Sequence, residues 1–81
     1  MRYQLVIKTY DSGEATLLDA MSEGPPPMVG DTLKLHEVAE TGQQKDVFTY
    51  HKVDRRTVEV SFFRRMNSSR TDVVTVWVSR L

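Results

Sequence analysis

The chain has 81 residues, 40% of them hydrophobic and 27% charged, a composition that excludes disordered and fibrous classes and leaves room for one small domain. It contains no cysteine, which rules out disulfides, thiolate metal sites and cysteine nucleophiles, and it fits a reducing, cytoplasmic setting. Lys+Arg and Asp+Glu balance at 11 each, yet residues 1–45 hold four cations against seven acids and residues 46–81 hold seven against four, giving halves of −3 and +3.

Residues 2–10 alternate strictly, Tyr3, Leu5, Ile7 and Thr9 against Gln4, Val6, Lys8 and Tyr10, which predicts a strand with Leu5 and Ile7 turned inward. This alternation leaves no continuous apolar core for a signal peptide, and no run reaches membrane-spanning length, so a protein without a membrane role is expected. Asp11-Ser12-Gly13 has turn chemistry, and a second strand, Ala15 to Met21, is expected after it. The rival reading for 14–21 is a short helix capped by Ser12, because Leu17, Leu18 and Met21 also share a helical face.

Three prolines, Pro25 to Pro27, open a stiff loop that leads through Gly30-Asp31 into an alternating run, with Leu33 and Leu35 on one side of the pleat and Thr32 and Lys34 on the other. The loop lacks flanking basic anchors and so reads as a strand entry rather than a polyproline ligand. A strand from Asp31 to Val38 and a polar loop from Ala39 to Asp46 follow. Two strands, Val47–Val53 and Thr57–Met66, are then expected around a turn at Asp54-Arg55-Arg56. On the second, Val58, Val60 and Phe62 face one way and Glu59, Ser61 and Phe63 the other. Asn67-Ser68-Ser69 predicts the last turn, and Asp72 to Leu81 a final strand with Val74, Val76 and Val78 against Val73, Thr75 and Trp77.

Five or six short strands in so small a chain predict a mainly β fold, a small antiparallel barrel or a strongly curved sheet, in one domain covering 1–81. The proline-rich entry loop, the Gly-Asp turn and the strand after it resemble small barrels of the SH3-like kind, a likeness of topology that implies no particular site residue. Pairing in the last hairpin decides the core. With Phe62 opposite Val74 or Val76, the Val58, Val60, Phe62 face meets the valines and Trp77 lies outside with Phe63, whereas a slip of one residue puts Trp77 inside. The first arrangement is the more consistent pattern.

Catalytic signals are absent: there is no nucleophile elbow, no phosphate-cradling glycine loop and no helical His-Glu pair. His36 and His51, with Glu37 or Asp46, are the candidate metal ligands, but 15 residues and two predicted strands separate the histidines, so no metal or cofactor is expected. The remaining signal is a patch of Phe63, Arg64, Arg65, Arg70 and Trp77 around the last turn. Such a patch suits a protein partner, in an interaction module or small regulatory subunit, or self-association driven by the oppositely charged halves. Guanidinium groups beside stacking platforms equally suit single-stranded RNA or DNA, the alternative function. Arg55 and Arg56 stand apart from it, nearly 30 Å away on an extended strand.

Overall fold

The computed structural model describes residues 2–10, 13 and 15–81. Five strands, β1 (Arg2–Thr9), β2 (Ala15–Glu23), β3 (Thr32–Glu37), β4 (Val47–Phe63) and β5 (Ser68–Arg80), form one sheet in the order β2-β1-β5-β4-β3, and a 3-10 turn, Arg64–Met66, joins β4 to β5. The sheet curls into a half-barrel whose unpaired edges are β2 and β3. A mainly β, strongly curved sheet is thus what the chain forms, and 14–21 contributes a strand rather than a helix. The turn expected at Asp11-Ser12 lies outside the described residues, while Gly13 adopts a positive φ of 70° that suits it.

The sheet is not antiparallel throughout. β1 runs parallel to β5, with Leu5 beside Val74, Ile7 beside Val76 and Thr9 beside Val78, while the other three ladders are antiparallel. Alternation reports which side chains share a face, and it carries no information about the direction of the neighbouring strand.

The expected turn at Asp54-Arg55-Arg56 is also corrected, because β4 continues unbroken through it for 17 residues. Val53 pairs with Val78 and Arg55 with Trp77, so Asp54 is a bulged extra residue. Its consequence is a switch of parity: Thr49, His51 and Val53 face inward before it, and Arg56, Val58, Val60 and Phe62 take that face after it. A second shift between Glu59 and Val60 skips Asp72 on β5.

Tyr3, Leu5, Ile7, Val53, Val74, Val76 and Val78 form the core on the concave face, with Leu33 and Leu35 packed against it. The proline-rich entry clamps onto this core at the bulge. Gly30 and Val53 exchange backbone contacts through Gly30 N–H to the Val53 carbonyl at 2.9 Å and Val53 N–H to the Asp31 carbonyl at 3.0 Å. The turn itself closes by Asp31 N–H to the Met28 carbonyl, Gly30 takes φ 95°, and the Asp31 carboxylate accepts the Met28 N–H at 2.8 Å. Asp31 is a turn residue, as its setting in the sequence implies.

Candidate functional site

β3 pairs with β4 only over Val47–Lys52, and β1 pairs with β5 only over Val73–Val78. The end of the β4–β5 hairpin, residues 60–63 with 68–72, has neither neighbour and projects from the half-barrel as a two-stranded arm, and the molecule measures 54 × 27 × 21 Å along its principal axes. The outer edge of β4 from Asp54 to Phe63 has no neighbouring strand. Ten residues at about 3.3 Å each make this an open edge of roughly 30 Å.

The arm overturns the expected core. Phe62 pairs with Ser69 and Val60 with Thr71, so only Val58 meets a core valine, Val74. Val58, Val60 and Phe62 are 41%, 49% and 59% exposed, and Phe63 and Met66 at the tip are more exposed still. Their alternation marked them correctly as one face, but the face runs past the end of the sheet that would cover it. Asn67 turns the chain at the tip with φ 47°, a left-handed conformation that asparagine tolerates.

The residues read from the sequence as a patch divide into two places. Phe63, Arg64, Arg65 and Arg70 gather at the arm tip, where the Arg64 guanidinium lies 5.6 Å from the Phe62 ring centroid and Arg70 pairs with Asp72 at 2.8 Å. Trp77 stays behind on the body of the sheet. It shares the convex face with Phe63, as the pairing that leaves it outside the core requires, but about 26 Å of β4 separate them. Trp77 is half-buried under Arg55, whose guanidinium sits 4.8 Å from the ring, and its indole N–H is buried with no hydrogen-bond partner among the described residues.

Sequence reading missed a second set of aromatic side chains on the same convex face. Phe48 and Tyr50, at i and i+2 on β4, are 46% and 48% exposed, and the Lys34 ammonium stands 4.7 Å and 5.9 Å from their centroids. His36 stacks on Phe48 at 4.3 Å and reaches the Asp46 carboxylate at 3.0 Å. Spacing of two along a strand was the available signal.

The two histidines do not converge. His36 stands on the convex face, whereas His51 opposite Leu33 is buried on the concave side and bonds Thr49 Oγ1 through Nε2 at 3.0 Å. Among the described residues no three His, Asp or Glu side chains group as metal ligands would. A cleft of ≈ 610 Å³ opens between the two sheet edges, with Leu17 and Leu18 from β2 facing Leu35 and Val47.

Asp46 anchors the polar loop 38–46. Its carboxylate accepts the Ala39 N–H at 2.8 Å and meets His36 at 3.0 Å, and these bonds, the backbone one foremost, hold its pKa below the ordinary 3.8. A depressed carboxylate pKa stabilises the folded form above the unfolded value and is lost as pH falls through the folded one. The Ala39 amide resonance is therefore expected to hold its position down to about pH 4 and to move as the pH drops below 3.8. Movement confined to neutral pH would contradict the tether.

The chain is thus defined by an open, mixed β half-barrel with a projecting basic hairpin. No family model, curated protein or solved structure matches it. No helix among the described residues is long and apolar enough to cross a membrane.

Proposed function

We propose that this chain is a non-enzymatic interaction module that binds protein through its β4–β5 arm, with a second copy of itself as the partner. One observation carries the reading: an exposed apolar stripe, Val58, Val60 and Phe62, lies along a strand whose backbone edge is open from Asp54 to Phe63. A two-stranded ribbon is marginal alone in water, and a long, open, apolar edge invites pairing with another strand. Charge favours a second copy. The tip carries Arg64, Arg65 and Arg70, the last paired with Asp72, while residues 37–46, at the opposite end of β4, carry Glu37, Glu40 and Asp46 against Lys45. Strand addition supplies affinity from the backbone, and the apolar stripe supplies the register. The solution mass of the wild-type chain tests the reading: a species heavier than one chain, growing with concentration, is expected, and a monomer at every accessible concentration overturns it.

A further inference from the structure

We infer that the convex face of β3, β4 and β5 is a binding site for single-stranded nucleic acid, separate from the arm and from the arginines at its tip. Three aromatic side chains occupy this face: Phe48 and Tyr50 two residues apart on β4, and Trp77 on β5 opposite Arg55. Successive outward positions on a strand lie about 6.6 Å apart, a spacing at which unstacked bases rest on neighbouring rings. Four cations surround them. Lys34 pairs with Tyr50, Lys52 with Ser79, Lys8 with Trp77 and Arg55 with Trp77 from the other side. Two carboxylates lie near these cations, Asp54 at the bulge and Asp46, which is engaged by His36 and the Ala39 N–H. Of the other described acids, Glu37 takes the concave parity of β3, Glu59 and Asp72 lie toward the arm, with Asp72 paired to Arg70, Asp31 closes the entry turn, Glu40 belongs to the loop 38–46, and Asp19 and Glu23 belong to β2.

A chain with no net charge thus concentrates positive charge on one face, around the exposed rings of Phe48 and Tyr50 and the half-buried ring of Trp77. Phosphodiesters complement the four cations, and unpaired bases complement the π-faces left open on these rings, one face of Phe48 being covered by His36 and one of Trp77 by Arg55. A duplex offers no free base faces to these rings, which is why the ligand is single-stranded. Arg55 over Trp77 and Lys34 over Phe48 also give the rings a defined pose before any ligand arrives.

Fluorescence anisotropy with labelled oligodeoxyuridylate and oligouridylate of about 12 nucleotides tests the site. Binding is expected to weaken with salt at a log–log slope of about −3, as about four phosphate contacts on a single strand give. Phe48→Ala, Tyr50→Ala and Lys34→Glu are each expected to weaken it about tenfold, with unchanged circular dichroism, because all three side chains are exposed. Phe62→Lys, on the arm, keeps the wild-type affinity per chain, so loss of self-association and loss of this site are read separately. Binding of both oligomers supports the shared chemistry of phosphate and base, and preference for one assigns the sugar. No binding at low salt overturns the proposal. So does binding that survives Phe48→Ala, Tyr50→Ala and Lys34→Glu unchanged, or that a duplex competes away as well as a single strand does.

Discussion

A Val78→Asp chain is expected not to fold. Val78 has no exposed surface and sits on β5 between Thr9 of β1 and Val53 of β4, the row where the parallel and antiparallel ladders meet. A carboxylate there loses its water and faces no cation in either paired position, and protonating it still leaves a buried polar group to satisfy. The penalty is several kcal/mol, against a total stability of about 4–12 kcal/mol for a chain of this length. Far-UV circular dichroism is expected to show loss of the sheet signal and of a cooperative melt. Val29→Asp is the control: the same change at a position 60% exposed, away from the arm, is expected to leave the melt close to wild type. A cooperative wild-type melt for Val78→Asp would contradict the assignment of the core.

The double variant Val58→Lys with Phe62→Lys is expected to fold and to remain monomeric. Val58 and Phe62 are 41% and 59% exposed, so a lysine at either position keeps its charge in water while its stem covers the neighbours the apolar group covered, Val74 beside Val58 among them, and lysines add like charge to a tip that already carries three arginines. Apolar anchors at the centre of an interface commonly cost 2 kcal/mol or more each, which is about 30-fold in affinity for one and more for the pair. Sedimentation velocity is expected to show the wild-type boundary quickening with concentration and the variant boundary staying that of a single chain. An identical concentration dependence in both would place any association away from the arm.

The strand content and the curved sheet were legible because alternation is a local property: Leu5 and Ile7, Leu33 and Leu35, and Val74, Val76 and Val78 all turn inward as their spacing requires. The parallel contact of β1 with β5 was not legible, since it depends on which strands meet across the core. Asp54 was misread as a turn for a definite reason. Asp-Arg-Arg is polar like a turn, but the inward set changes from odd to even numbers across it, and a change of parity without glycine or proline is the mark of a bulge. The same oversight placed Val58, Val60 and Phe62 in the core. Had β4 been read as one strand of 17 residues, its excess over the six-residue β3 would have shown that most of it lacks a neighbour on its outer edge. At the site, Phe63, Arg64, Arg65 and Arg70 were found together because a tight turn keeps sequence neighbours close, while Trp77 went to the body because ten residues of β5 run back from the tip. Phe48 and Tyr50 escaped notice because an aromatic residue in a strand ordinarily packs inward, and here the concave parity falls to Val47, Thr49 and His51.

Self-association through the arm is tested most directly by hydrogen exchange along β4 as the wild-type chain is concentrated. Amides between Asp54 and Phe63 that have no partner in β5 are expected to gain protection with concentration, together with quieter changes at residues 37–46, and to stay unprotected in the Val58→Lys, Phe62→Lys chain. Exchange along that edge that is the same at every concentration, or protection that grows only at β2, would contradict it.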